Sequence, residues 1–171
     1  MTAGAKVALV AATLIFVIPV YYTLAFGRLM MNATESMEAH AFALFTWPRI
    51  LSPGLVAAVK MPPVLARQFP GQNLYLAKRI VGVPGDAIAH VEGRICLRGQ
   101  CFAPFVEEGH AVAALWSATR VPEGQIAIFG ESADSLDSRY EIIGGIPVED
   151  VIAVGFPIPF PHWSELKAWL E

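Results

Sequence analysis

Charged and metal-binding side chains are scarce in this sequence of 171 residues. Only 16% of the residues are Asp, Glu, Lys or Arg, and the formal net charge is −3. A chain without a basic excess lacks the electrostatic footprint of a nucleic-acid-binding protein, so we expect no nucleic-acid partner. The histidines are scattered without the spacing of a metal site, at positions 40, 90, 110 and 162. The sequence implies no metal and no organic cofactor.

Two familiar arrangements for nucleophilic catalysis are also missing. The chain has no Gly-x-Ser-x-Gly elbow and no Cys/His arrangement typical of a cysteine hydrolase. A general base needs a nucleophile to activate, and these absences leave serines outside such an elbow as the candidates.

The chain has two cysteines, Cys96 and Cys101, in GRICLRGQCF. A two-residue turn at Arg98-Gly99 would place them directly opposite each other in a hairpin, close enough for a disulfide. A metal-binding pair or two unpaired thiols are the alternatives, but zinc would need a second pair of ligands. We favour the disulfide, which predicts an oxidising, extracytoplasmic compartment.

A long apolar run without charge, VALVAATLIFVIPVYYTLAF, occupies residues 7–26. A helix needs about 20 such residues to cross a bilayer. A cleaved signal would have a shorter apolar region and a small-x-small cleavage site, whereas Arg28 and LMMNATESM follow here. We predict an uncleaved anchor over residues 1–28 and an extracytoplasmic domain over residues 29–171. The flanking charges of Lys6 and Arg28 barely decide the orientation, and the predicted disulfide favours the N-terminus inside.

Short β-like stretches separated by Gly/Pro turns follow the anchor. The predicted strands cover 54–61, 73–83, 87–102 as two strands or one bent strand, 124–130 and 150–160. Prolines in the last stretch are typical of an edge strand. The pattern predicts a mainly β fold, with a compact antiparallel domain after the N-terminal helix. Residues 162–171 predict a short amphipathic C-terminal helix.

Lys78 lies inside the apolar stretch YLAKRIVGVPGD. On a strand it shares a face with Leu74, Leu76 and Ile80. A lysine on such a face either extends its amine to water or has a lowered pKa that suits a general base. The strand pattern alone favours the first explanation.

Two polar stretches contain the other candidate residues. Ser36 lies about ten residues beyond the apolar run, in TESMEAH, and Ser135, Asp137 and Arg139 lie in FGESADSLDSRYE. Taken alone, each stretch is typical of an ordinary polar turn. Asp137 and Arg139 are spaced to form an ion pair that would fix their loop.

The three stretches in this order resemble signal peptidase I, the membrane-bound serine/lysine leader peptidase family. Ser36-Met37 resembles the family's serine–methionine box. Residues 78–86 match every defined position of its lysine box, K-R-[VI]-x-G-x-P-G-D. Residues 130–139 resemble its late box, G-D-N-x-x-x-S-x-D-S-R, with Glu131 in place of the usual aspartate and one residue fewer.

The resemblance implies a membrane-bound serine endopeptidase that removes signal peptides from exported preproteins. Ser36 would be the nucleophile and Lys78 the general base, and Ser135 would orient the lysine amine. Asp137 and Arg139 would support the loop that holds Ser135. The implied location is a single-pass protein of the bacterial cytoplasmic membrane, with its catalytic domain on the periplasmic side and the bilayer as a further partner.

Departures from the family pattern leave two alternatives for the function. Glu38, Ala39 and His40 follow Met37, where the family usually has proline and threonine two and three residues after the methionine. Such divergence fits a dedicated conjugative-transfer or secretion-system peptidase that matures pilin precursors. It also allows an inactive, membrane-tethered preprotein-binding protein, although the presence of both Ser36 and Lys78 argues against that alternative.

Overall fold

A continuous N-terminal helix occupies the apolar run in the computed structural model, which describes residues 2–32, 36–67, 69–72 and 74–158. The helix comprises α1 (Ala3–Ala12), a π-helical segment (Thr13–Val17) and α2 (Ile18–Phe26). The π-helical segment ends just before Pro19, which lacks the N–H that a regular helix would use. The helix has 24 residues, its most apolar 18-residue stretch has a mean hydropathy of 2.2, and none of that stretch is buried in the protein. Length and composition therefore allow this helix to cross a membrane.

Most other elements of the described chain are short strands. Their bounds are β1 (Gly27–Met31), β2 (Ala41–Phe45), β3 (Val56–Lys60), β4 (Tyr75–Gly82), β5 (Ile88–Val91), β6 (Arg94–Leu97), β7 (Gln100–Phe102), β8 (Val106–Glu107), β9 (His110–Ala111), β10 (Gln125–Phe129), β11 (Ile146–Pro147) and β12 (Val151–Ile158). A helical turn, α3 (Pro63–Ala66), follows β3, and a 3-10 turn (Val148–Asp150) precedes β12. The prediction of a mainly β fold behind an N-terminal helix is confirmed. The predicted C-terminal helix lies outside the described residues.

Seven strands form the main sheet in the order β1-β2-β12-β3-β4-β10-β11, and every neighbouring pair is antiparallel. Strands β5-β6-β7 form a second sheet, and β8-β9 form a two-stranded ribbon. The prediction that the last strand is an edge strand is wrong, because β12 lies between β2 and β3. The last pair between β12 and β3 is Gly155 opposite Val56, and Pro157 lies beyond it. Where this proline occurs, β12 is therefore flanked by β2 alone.

Both faces of the main sheet contribute to the hydrophobic core. Ala57 and Val59 of β3 pack on one face with Ile80 and Ile128. The alternate residues of β3 pack on the other face in a cluster that includes Met37, Phe42 and Leu44. This alternation is the expected behaviour of a strand buried on both sides. Met37 therefore fixes the segment directly after Ser36 to the core.

The Gly82–Asp86 turn ends β4 and determines where that strand stops. Gly82 allows close packing, because a Cβ there would lie 2.8 Å from Leu97 and 3.0 Å from Val121. Gly85 has a positive φ of 88°, which an L side chain rarely adopts. The Asp86 carboxylate accepts the Val83 N–H at 2.9 Å, so it closes the turn from within.

The hairpin between β6 and β7 has the predicted register. Leu97 lies opposite Gln100, and Cys96 lies opposite Cys101. The two cysteines form a disulfide, with their Cα atoms 4.0 Å apart. The turn residue Arg98 has a positive φ of 48° and pairs with Asp86 at 2.9 Å. This contact connects the hairpin to the turn that ends β4.

Candidate active site

Lys78 lies in the middle of β4, an interior strand between β3 and β10. Only 2% of the residue is exposed. Its Nζ donates a hydrogen bond to Oγ of Ser135 at 2.8 Å. Burial lowers the pKa of Lys78 to about 8, against the opposing effect of the nearby Asp137 carboxylate. A neutral amine is therefore accessible near physiological pH, as a general base requires.

Gly130 allows two serines to approach the same point. Phe129, the last residue of β10, lies opposite Arg79, and this antiparallel register brings Gly130 level with Lys78. A Cβ on Gly130 would lie 2.1 Å from Oγ of Ser135 and 2.8 Å from the carbonyl oxygen of Ser36. Both distances are far shorter than van der Waals contact, so a side chain here would displace one serine or both.

Ser36 lies half-buried at the start of a turn in the connection between β1 and β2. Its carbonyl oxygen accepts the Glu131 N–H at 2.9 Å and the Ser132 N–H at 3.4 Å. On its other side, Met37 is buried in the core. The main chain of Ser36 is thereby held against the loop that contains Ser135.

Asp137 and Arg139 form a buried, bidentate ion pair in the loop after β10. The two carboxylate oxygens of Asp137 accept hydrogen bonds from Nε and Nη2 of Arg139, each at 2.9 Å. Asp137 also accepts the Gly130 N–H at 2.8 Å, and Arg139 donates to the carbonyl of Ala133 at 2.9 Å. A buried pair of this kind needs such additional partners to offset its desolvation. Together these bonds connect both ends of the loop that holds Ser135.

A second carboxylate connects the lysine strand to the segment after Ser36. Glu131 forms an ion pair with Arg79, with Nε to Oε1 at 3.0 Å, and its Oε2 accepts the Glu38 N–H at 2.7 Å. Partial burial opposes ionisation of Glu131, but the hydrogen bonds from Arg79 and Glu38 outweigh it and lower the pKa of Glu131. The ionised carboxylate therefore holds three separate segments together.

The described residues contain no group of three or more His, Cys, Asp or Glu side chains arranged to hold a metal ion. The polar atoms of the site instead bond to one another and to the main chain, as described above.

A known protein family matches most of this chain. The family described as "Signal peptidase, peptidase S26" matches residues 1–158. The chain belongs to this signal peptidase family. A search of curated proteins finds no significant match. Membership makes the chain a peptidase, and thus a hydrolase, of a family that removes signal peptides. The N-terminal helix is consistent with the membrane anchor of such a signal peptidase.

In this family member, the residues predicted from the sequence fall into three connected groups. Lys78 bonds to Ser135, Asp137 pairs with Arg139, and the main chain of Ser36 lies beside Gly130, which Ser135 also contacts. The turn formed by residues 82–86 determines where β4 ends.

Sequence reasoning gave no role to Arg79, Gly130 or Glu131. Each stands next to or within a motif: Arg79 follows Lys78, and Glu131 follows Gly130. Glu131 was noted as a departure from the usual aspartate, yet its longer side chain reaches both Arg79 and the Glu38 N–H. The opposite charges of Arg79 and Glu131, each beside a residue of the predicted site or motif, were the signal from which their ion pair could have been predicted.

Proposed function

We propose that this family member is a membrane-anchored serine endopeptidase that removes signal peptides from exported preproteins with a Ser36/Lys78 dyad. The observation that supports the dyad most directly is the environment of Lys78. Its buried amine, with a pKa lowered to about 8, is held by Ser135 at 2.8 Å beside the glycine that contacts the Ser36 main chain. Lys78 has no ion-pair partner among the described residues. Burial of such a lysine is costly, and a base function accounts for that cost.

The mechanism follows from these groups. Oγ of Ser36 attacks the scissile carbonyl carbon while neutral Lys78 accepts the hydroxyl proton. The resulting lysine ammonium donates that proton to the leaving amine, which departs and leaves an acyl ester on Ser36. A water molecule, deprotonated by Lys78, then hydrolyses the ester and regenerates the serine. Ser–Lys pairs are one of the alternatives to a Ser-His-Asp triad.

Two further groups have supporting roles in this proposal. Ser135 orients the amine of Lys78 through its hydroxyl, and the N–H of Ser36 contributes to an oxyanion hole. One such donor is worth about 3 kcal/mol of transition-state stabilisation. Asp137 and Arg139 act through the loop that they fix rather than on the substrate.

The membrane placement completes the proposal. Residues 1–28 form the anchor of a single-pass protein of the bacterial cytoplasmic membrane, and residues 29–171 form the peptidase domain on the periplasmic side. The Cys96–Cys101 disulfide supports this side, because disulfides persist in oxidising compartments. The substrate's own signal segment lies in the same membrane, which explains why the enzyme is anchored there.

The test compares Ser36→Ala and Lys78→Ala with the wild-type enzyme in phospholipid vesicles, with a signal-bearing precursor as substrate. We expect each variant to lose at least about 1,000-fold in cleavage rate, because the members of a catalytic dyad act as a unit. Ser52→Ala and Lys60→Ala are the matched controls, since neither residue belongs to the site, and they should cleave normally. Normal cleavage by stably folded Ser36→Ala protein would refute the dyad.

The same variants in cells identify the substrates. Mass spectrometry of extracytoplasmic proteins should show the same uncleaved precursors in both variants. Many unrelated precursors would indicate a general enzyme, whereas pilin precursors alone would indicate a dedicated transfer or secretion peptidase.

A further inference from the structure

The connection that contains Ser36 is closed at its base by a main-chain bond. Asn32 directly follows β1, and His40 directly precedes β2. The N–H of Asn32 donates to the carbonyl of His40 at 2.7 Å, so the β1–β2 hairpin continues one pair beyond Met31 and Ala41. The connection therefore starts from a fixed point at the end of the sheet.

The side chain of Asn32 reaches across this connection to the residues after Ser36. Its Nδ2 donates to the carbonyl oxygen of Met37 and to that of Ala39, each at 3.1 Å. An amide NH2 group has two hydrogens, one for each acceptor. The flipped orientation would instead place the amide oxygen against two carbonyl oxygens, so the surroundings determine which end of the side chain faces the turn.

Glu131 holds the same turn from the opposite side. Its Oε2 accepts the Glu38 N–H at 2.7 Å, and its own N–H donates to the Ser36 carbonyl at 2.9 Å. The carbonyl of Met37 and the N–H of Glu38 belong to one peptide group, and in a trans peptide group these two bonds point in opposite directions. This peptide group is therefore held between Asn32 and Glu131.

The side chain of Met37 adds a third restraint to the turn. Met37 is 1% exposed and belongs to the core cluster that contains Phe42 and Leu44. With its side chain packed and its carbonyl bonded to Asn32, Met37 cannot change its backbone angles without losing one of these contacts. Folding thus supplies the order of the turn before substrate binds, and no binding free energy is needed for it.

Order in this turn affects catalysis if Ser36 is the nucleophile. A nucleophile must lie about 3–3.5 Å from the carbon that it attacks, and a displacement of about 1 Å can lower the rate about 100-fold. Lys78 is fixed by β4 and by its bond to Ser135, so the base does not follow a displaced serine. The position of Ser36 relative to Lys78 therefore depends on the contacts that Asn32 and Glu131 make with the turn.

We propose that Asn32 is a positioning residue for the nucleophile, and that its side-chain amide fixes the turn after Ser36 so that the serine is held in one place relative to Lys78. Asn32 acts on the main chain of the turn and not on the substrate. The catalytic part of this inference rests on the proposed Ser36/Lys78 dyad. The structural part, an ordered turn that depends on the Asn32 amide, does not. The two parts are therefore tested separately.

Hydrogen exchange tests whether Asn32 orders the turn. Asn32→Leu has a similar shape but lacks both donors. In full-length protein in detergent micelles, the Glu38 N–H of this variant should exchange at least about tenfold faster than in the wild type, because the open turn exposes it. The N–H groups of β3 should stay protected, which shows that the fold is intact. Asn32→Asp, also without donors, takes its place if Asn32→Leu unfolds. Unchanged exchange at Glu38 would overturn the proposal.

Cleavage kinetics in vesicles test the catalytic part. With a signal-bearing precursor, Asn32→Leu should lower kcat at least about 30-fold and change KM less than about threefold. The midpoint of kcat/KM near pH 8 should persist, because Lys78 and Ser135 lie on other elements. Asn32→Gln keeps the amide and should recover at least about fivefold of the lost kcat. Gln100→Leu, the same kind of exchange at an exposed position of β7, is the control and should cleave normally.

Double replacement tests whether Asn32 and Glu131 hold the same peptide group. Loss of either contact frees that group, so the second loss should add little. The kcat of Asn32→Leu/Glu131→Leu should therefore be at least about fivefold higher than the product of the two single losses predicts. Losses that simply multiply would overturn the shared hold on the turn.

The outcomes separate this inference from the proposed dyad. A kcat within about threefold of the wild type for folded Asn32→Leu, or no recovery in Asn32→Gln, would overturn the positioning role. A midpoint shifted by more than about one pH unit would also overturn it, since the site as a whole would then be disturbed. Normal cleavage by Ser36→Ala would refute the dyad instead, and exchange at the Glu38 N–H would still decide whether Asn32 orders the turn.

Discussion

The candidate site around Lys78 and the apolar face of β1, β2 and β12 depart from ordinary protein surfaces in opposite directions. In the site, Lys78 of β4 and Asp137 and Arg139 of the loop after β10 are charged yet almost fully buried. On the apolar face, Leu29 and Phe156 are hydrophobic yet largely exposed. A soluble domain usually buries the second kind of residue and exposes the first.

The two regions differ in how these departures are compensated. In the site, hydrogen bonds and opposite charges partner the buried groups, so local polarity replaces water. On the apolar face, the described residues leave Leu29, Met31 and Phe156 largely exposed. The buried charges are therefore compensated within the described part of the chain, whereas the apolar face is not.

Removal of one charge from the buried Asp137–Arg139 pair should destabilise the loop that holds Ser135 more than any other change considered below. Asp137→Asn leaves the Arg139 guanidinium buried without its counter-charge. We expect a loss of about 3–5 kcal/mol in the free energy of unfolding, measured by urea denaturation in detergent micelles. Leu29→Asn, on the exposed apolar face, should change it by less than about 0.5 kcal/mol in the same micelles. Similar losses in both variants would remove the distinction between the two regions.

Gly130→Ala breaks the loop's geometry without changing its charge. The added methyl group would lie 2.1 Å from Oγ of Ser135 and 2.8 Å from the Ser36 carbonyl oxygen. We expect a loss of at least about 100-fold in kcat/KM, about 2.7 kcal/mol, in a precursor cleavage assay. Gly93→Ala is the control, because its positive φ of 72° brings strain but no close contact. Full activity of Gly130→Ala would show that the two serines need not meet there.

Lys78→Met exchanges a buried amine for an apolar side chain of similar length. Below pH 8 the folded protein must bury a charged lysine, so we expect the variant to be more stable by about 1–3 kcal/mol at pH 7, although inactive. Between pH 8 and 10.5 the unfolded wild-type chain binds more protons than the folded one, so wild-type stability rises with pH. The variant's advantage should shrink across that window in thermal or urea unfolding. Lys60→Met, at an exposed position, should show no such pH dependence, and an advantage for Lys78→Met that is constant with pH would contradict the buried charge.

The sequence predicted the elements whose signals are local. The apolar run gave the helix, and Arg98-Gly99 between apolar stretches gave the hairpin and the pairing of Cys96 with Cys101. The strand around Lys78 was visible because Pro84 and Gly85 mark its end.

Non-local pairing could not be predicted in the same way. GRLMM and AFALF lack the alternation of a half-buried strand, so β1 and β2 were missed, and with them the hairpin that contains Ser36. The position of β12 between β2 and β3 depends on pairing across about 100 residues of chain, which proline content does not reveal.

The candidate site was predicted mainly through family resemblance. Strand pattern alone favoured a lysine that extends to water, because alternation does not reveal that β4 is an interior strand. The contacts of Glu131 with Arg79 and with the Glu38 N–H were not predictable, since they join three segments that are distant in sequence.

The most direct test of the Ser36/Lys78 dyad is the pH dependence of kcat/KM for wild-type enzyme on a soluble signal-site peptide in detergent. This profile reports the ionisation of the free enzyme. Because Lys78 must be neutral to accept the serine proton, kcat/KM should rise with pH, with a midpoint near 8, and level off above it. A flat profile between pH 6 and 10, or a midpoint near 6.5 as for a histidine base, would contradict Lys78 as the general base.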